Sequence, residues 1–282
     1  MRKLKTLFTL LLSLLFSLAI FGQDLSETFK FGKEQFLYGN SNSAALAFER
    51  VLFFSEDSFQ IESLNYLGEI ELRNAQPLKA ANYFQRAYNL EQDRNQQVAY
   101  LLKKCSSLLE AGDIDFALID LLSIEDDILD SLRKTKYLLQ GIAHFSRMSF
   151  PESHQSFLLA FDEKETIKKN KIDSLFIVLE SIKGPKPKKA RILSTILPGL
   201  GQLYAGDIKN GINSFILTGG LIVLGINTAI NLTLLDALMT VAPWFQRYYM
   251  GGYNRAENIA AEKFKEKQNR VFINILSVYD SH

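Results

Sequence analysis

Four positions recur in register along the first two thirds of the chain, and this periodicity constrains the fold more than any other feature. Gly32, Gly68, Cys105 and Gly141 are separated by 36, 37 and 36 residues. Twelve residues after each stands a small one: Ala44, Ala80, Ala117 and Ser153. Four further on come Phe48, Phe84, Leu121 and Phe157, and three beyond those Val51, Ala87, Ile124 and Ala160. Spacings of four and three line one face of a helix, so each copy carries a small–large–small stripe. Turn-formers separate the stripe from the helix before it: Gly39-Asn40-Ser41-Asn42, Asn74-Ala75-Gln76-Pro77, Gly112-Asp113 and Ser149-Phe150-Pro151. Each unit therefore reads as a helical hairpin in which small residues admit a neighbouring helix. One hairpin cannot bury its apolar face alone, whereas stacked hairpins share a continuous core.

At these residues the chain resembles the tetratricopeptide repeat family, over roughly residues 24–182. It departs from that pattern at the early aromatic position of the first helix, held by Thr28, Leu64, Leu101 and Tyr137, and lacks the usual Pro at the end of each unit. The resemblance implies a surface that holds a peptide or helix of a protein partner. The expected fold is all-α: four such hairpins and a capping helix with Ile172, Leu175, Phe176 and Leu179 on one face, then a hydrophobic helical hairpin and an amphipathic helix.

Charge divides the chain in the same place. From Gln23 to Ile182 there are 25 acidic and 17 basic residues, against 6 and 12 from Lys183 to His282. The basic third also holds the apolar runs, so anionic lipid is expected as its partner and nucleic acid is not. Arg2, Lys3 and Lys5 precede an apolar run from Leu7 to Phe21 with Gly22 after it, the pattern of a secretory signal over residues 1–22. The expected order is then a repeat domain over 23–182, a basic linker over 183–191 and a membrane-associated helical domain over 192–282. The expected location is the cell envelope, with the repeats exported.

The linker carries Pro185 and Pro187, which oppose helix, and a basic cluster of Lys186, Lys188, Lys189 and Arg191 suited to an anionic bilayer surface. The segment Ile192 to Leu203 is apolar but too short and broken to span. Gly211 to Ile230 is 20 residues without a charge, enough to cross ~30 Å of hydrocarbon. On it Gly211, Ser214, Thr218, Gly225 and Ala229 form a small-residue stripe that lets another helix approach. A weaker apolar segment from Leu232 to Met250 ends in Trp244, Tyr248 and Tyr249, placed as an aromatic belt. A final amphipathic helix is expected from about Tyr253 to Val278. An exported repeat domain and two crossings put the basic flanks outside, against the positive-inside bias. Either the hairpin does not fully span or export overrides the bias.

The run from Leu197 to Asp207, containing Pro198, Gly199, Gly201, Gln202, Tyr204 and Gly206, with Gly211 and the later Tyr248-Tyr249-Met250-Gly251-Gly252-Tyr253, is similar to a bacterial domain family of unknown function. It also resembles short two-helix membrane domains with a Pro-Gly, Gly-Gln, Tyr and Gly signature. The resemblance covers about 188–274 and implies no particular chemistry.

Nothing in the sequence assembles a catalytic or cofactor site. The histidines are His144, His154 and His282, and no metalloprotease, P-loop or dinucleotide fingerprint is present. The cluster Glu125-Asp126-Asp127 with Asp130 lacks the glycine and spacing of a calcium loop. One cysteine excludes an intrachain disulfide. The expectation is a non-enzymatic scaffold without a cofactor. The rival is a membrane-embedded transport component or enzyme working around Gln202, Tyr204, Asp207, Asp236 and Arg247.

Overall fold

The computed structural model describes residues 25–54 and 58–280. The expected signal over residues 1–22 lies outside them. Among the described residues all regular structure is helical. Contacts divide the chain after Lys164 into two compact units.

The first unit contains four hairpins: α1 (Leu25–Leu37) with α2 (Ser41–Phe54), α3 (Ser58–Arg73) with α4 (Pro77–Leu90), α5 (Arg94–Glu110) with α6 (Ile114–Ser123), and α7 (Asp130–Ser146) with α8 (Phe150–Leu159). Successive helices pack on each other, so this unit is an all-α repeat-like array. The recurring positions form its centre. Ala44, Ala80, Ala117 and Ser153 are fully buried, as are Phe48, Phe84, Leu121 and Phe157.

The reason for the first recurring position is steric. A Cβ on Gly32 would lie 2.9 Å from the Phe48 ring, on Gly68 2.6 Å from Phe84, and on Gly141 2.7 Å from Phe157. Each ring rests on the backbone of the preceding helix, and a side chain there would collide with it. In the third copy both partners change together: Cys105 replaces the glycine and Leu121 replaces the phenylalanine, and both are buried in one cluster. The smaller partner leaves room for the thiol, which burial pushes up to about 12. Cys105 is therefore a packing residue held protonated, not a reactive one.

A second register was not read from the sequence. Gly39, Ala75, Gly112 and Met148 all have positive φ, between 54° and 81°. They stand at the same point of each hairpin, 36, 37 and 36 residues apart. Each closes its helix with the same pair of hydrogen bonds. In the first copy Gly39 N–H donates to Phe36 O at 3.1 Å and Asn40 N–H to Gln35 O at 2.9 Å; in the fourth, Met148 donates to Phe145 O and Ser149 to His144 O, both at 2.9 Å. This is the left-handed helix terminus that glycine enters without strain and other residues enter at a cost of roughly 1–2 kcal/mol. Changing Ala75 or Met148 to Gly should therefore stabilise the chain by about 0.5–1 kcal/mol each, after the extra freedom of glycine in the unfolded state is subtracted. Nothing lies within 4 Å of a Cβ at Gly39 or Gly112, so Gly39→Ala and Gly112→Ala should destabilise through backbone strain alone. Urea denaturation followed by circular dichroism measures all four, and no change at Ala75 or Met148 would refute the reading.

The second unit contains α9 (Thr166–Ser181), α10 (Pro187–Ile196), α11 (Leu200–Tyr204), α12 (Ile208–Asn231), α13 (Leu234–Thr240) and α14 (Ala242–Asp280). The expected capping helix is present as α9, with Ile172, Phe176 and Leu179 buried, and contacts group it with this second unit. Three further details differ from expectation. The basic segment is not wholly a linker, because Pro187 starts α10 at its first position, where a missing N–H costs nothing. The second arm of the hydrophobic hairpin is split into α13 and the start of α14. The expected amphipathic helix is the continuation of α14, a single helix of 39 residues that runs through Gly251 and Gly252. Its apolar side, Ala256, Ala260, Val271, Ile275 and Val278, is buried.

Candidate functional site

The residues of the glycine-rich signature converge in the second unit on a junction of α10, α11, α12 and α14. The geometry begins at Pro198-Gly199, where α10 ends. Gly199 has φ +91°, and its Cβ would fall 2.2 Å from the Gly211 carbonyl oxygen. Only glycine satisfies both the backbone conformation and the contact. Gly211 in turn lies where a Cβ would be 2.8 Å from the Leu203 side chain. Gly201 is tighter still, with its Cβ position 1.9 Å from Ala190 O on α10. These glycines bring three helix backbones into contact, as their spacing suggested.

Gln202, 1% exposed, ties the junction together. Gly201 N–H donates to Ser194 Oγ at 2.9 Å. Ser194 Oγ–H donates to Gln202 Oε1 at 2.7 Å. Gln202 Nε2 then donates to Gly252 O at 2.8 Å, in the middle of α14. The relay satisfies a buried hydroxyl and a buried amide and fixes α10, α11 and α14 in one register. Ser194 and Gly252 were not singled out from the sequence, because the pairing is long-range. Tyr249 Oη–H adds a bond to Thr195 O at 2.6 Å.

The remaining signature residues close the junction. Gly206, φ +79°, ends α11 in the same left-handed way as the repeat turns. Asp207 caps α12, accepting from Asn210 N–H at 3.1 Å and Asn210 Nδ2 at 2.6 Å, and these bonds hold its carboxyl below the usual range. Tyr204 Oη accepts from Lys186 N–H at 3.2 Å, and its ring lies under the Lys189 ammonium at 5.1 Å. Arg191 pairs with Glu257 at 3.0 Å and covers Tyr253. Of the basic cluster, then, Lys186 and Lys188 extend into solvent while Arg191 is engaged within the unit.

Asp236 and Arg247 occupy separate places. Asp236 accepts from Thr233 Oγ1 at 2.6 Å at the start of α13. Arg247 lines a cleft between α12 and α14. The small-residue stripe of α12 faces inward: Gly211 and Thr218 are buried, and Gly225 meets Val241. Its other faces are open. Ile208–Asn231 is long and apolar enough to cross a membrane, and only 6% of its most apolar stretch is buried.

In the first unit the acidic cluster is occupied by bases. Asp126 accepts from Lys136 Nζ and Tyr137 Oη, both at 2.7 Å, and the Lys136 bond holds its carboxyl below the usual range. Arg94 pairs with Glu125 and Arg133 with Asp130. Among the described residues no group of side chains is placed to hold a metal ion. A ridge of Phe116, Ile119 and Leu122 on α6 is exposed by more than 60% at each residue. Comparison with protein-family models, with curated proteins and with solved structures finds no match.

Proposed function

We propose that the protein is a non-enzymatic envelope adaptor: tetratricopeptide-like repeats hold a protein partner, and the second unit attaches the chain to a membrane. The observation that carries this is the state of α12. A helix in a water-soluble core hides most of its apolar surface, whereas α12 leaves Phe215, Ile216, Ile222, Val223, Leu224, Ile226 and Ile230 exposed by 47–75%. Such a continuous apolar surface is stable against hydrocarbon and costly against water. Trp244, Tyr248 and Tyr249 near the start of α14 suit the polar–apolar boundary. The apolar ridge on α6 supports the partner-binding half of the reading, as does the resemblance of the array to repeats that bind peptides. Export of the repeats rests on the N-terminal signal pattern.

Fractionation of cells tests the attachment. The intact chain should stay with membranes in high salt and leave only with detergent, because burial of hydrocarbon is not screened. A chain ending at Lys164, where the first unit ends, should be recovered in the soluble exported fraction. Release of the intact chain by salt alone would overturn membrane attachment. For the adaptor half, crosslinking in cells should trap a protein on the first unit, and substitution of Phe116, Ile119 and Leu122 by Ser should reduce that product.

A further inference from the structure

The cleft between α12 and α14 is unlike the rest of the second unit. It has a volume of about 290 Å³. Arg247 and Arg255 line it, two helical turns apart on α14, and no carboxylate does. Asn213, Ser214 and Thr218 line it from α12. Elsewhere in the chain helical hydroxyls bond back to the carbonyl four residues earlier, as Thr228 does to Leu224 O at 2.8 Å and Thr195 to Arg191 O at 3.0 Å. Ser214 Oγ and Thr218 Oγ1 do not: both are buried and lack any hydrogen-bond partner, and Thr218 is 0% exposed. A buried hydroxyl without a partner is a standing cost that an acceptor in the cleft would remove. Gly251 forms part of the wall, and nothing lies within 4 Å of where its Cβ would be. The cleft exists because that side chain is missing.

We propose that this cleft binds a phosphate group, with Arg247 and Arg255 contributing charge and the Asn213, Ser214 and Thr218 side chains contributing neutral donors. Two guanidinium groups with no facing acid select an anion, and their planar donors match phosphate oxygens. Trp244 and Tyr248, stacked at 6.5 Å, adjoin the cleft. On the membrane reading above they put it at headgroup depth, so the phosphate of an anionic phospholipid is one source. A soluble phosphate is the other. Binding itself does not require that reading; only the lipid source rests on it.

The test uses the full chain purified in detergent. Native mass spectrometry compares binding of phosphatidylglycerol, phosphatidylcholine and inorganic phosphate. The wild-type chain should bind phosphatidylglycerol at least about tenfold more tightly than phosphatidylcholine, as expected for two charge-assisted contacts. The double substitution R247Q/R255Q should remove that preference. Gly251→Leu should block binding by filling the cleft while leaving α14 helical, since leucine favours helix over glycine. Circular dichroism checks that both variants keep wild-type helix content. Phosphate binding that depends on Arg247 and Arg255, with no lipid preference, would support the same site with a soluble source. Equal binding by wild type and both variants, or no anion binding at all, would overturn the proposal. Failure of the membrane reading shows elsewhere, as release of the intact chain by salt, and leaves these binding measurements standing.

Discussion

Leu121→Phe is expected to destabilise the protein by about 1–3 kcal/mol, and adding Cys105→Gly is expected to restore most of that loss. The larger ring at position 121 would strike the Cys105 side chain as the rings of Phe48, Phe84 and Phe157 would strike any side chain at Gly32, Gly68 or Gly141. Cys105→Gly alone should also destabilise, through a small cavity and the freedom of glycine in a helix, by about 1–2 kcal/mol. The double variant rebuilds the glycine–phenylalanine pair of the other three copies. Urea denaturation of the four species forms a double-mutant cycle, and its coupling should favour the double variant by more than about 1 kcal/mol. Additive losses would mean that the two residues do not share one space. The register of the whole array would then need another explanation.

The second large effect is expected at Gly201. An alanine there would place its Cβ 1.9 Å from Ala190 O, a backbone atom that cannot rotate aside. Helix α10 would have to withdraw, breaking the relay through Ser194 and Gln202 to Gly252. The expected cost is about 3 kcal/mol or more, from overpacking plus buried polar groups left unpaired. Gly219 and Gly220, on the same unit, have nothing within 4 Å of a Cβ. Alanine at either should be neutral or stabilising by up to about 1 kcal/mol, because it favours helix over glycine. Thermal denaturation of the detergent-solubilised chain separates the two classes. Similar melting temperatures for Gly201→Ala and Gly219→Ala would show that the signature glycines are not held by backbone contact.

The features legible in the sequence are those that one residue reports locally. The framework positions were visible because every copy needs the same volume at the same point, even where Cys105 and Leu121 change the residues that fill it. The inward stripe of α12 was visible because Gly211, Ser214, Thr218, Gly225 and Ala229 repeat at helical spacing. The left-handed turns were half hidden: Gly39 and Gly112 advertise them, whereas Ala75 and Met148 adopt the same backbone against their preference and show only in the 36-residue register. The continuity of α14 was hidden for the opposite reason. Two adjacent glycines locally suggest a break, and packing of Ala256 and Ala260 against the unit overrides that preference. Pro187 reads as a helix breaker until its place at the first helical position is known. Arg247, Gly251 and Arg255 stand four residues apart, which marks one face of α14. What that face meets on α12 is a tertiary fact that no local pattern carries.

Helix α14 is about 58 Å long at 1.5 Å per residue, nearly twice the thickness of a bilayer's hydrocarbon layer. A rod of that length yields first where its backbone is least stiff, and in α14 that point is Gly251-Gly252. It is there that Gln202 grips the Gly252 carbonyl, and there that Ser214 abuts the helix. Gln202 is thus a splint as well as a link between helices: loosening it would free a hinge in the rod without removing any apolar contact that holds the rod's two ends.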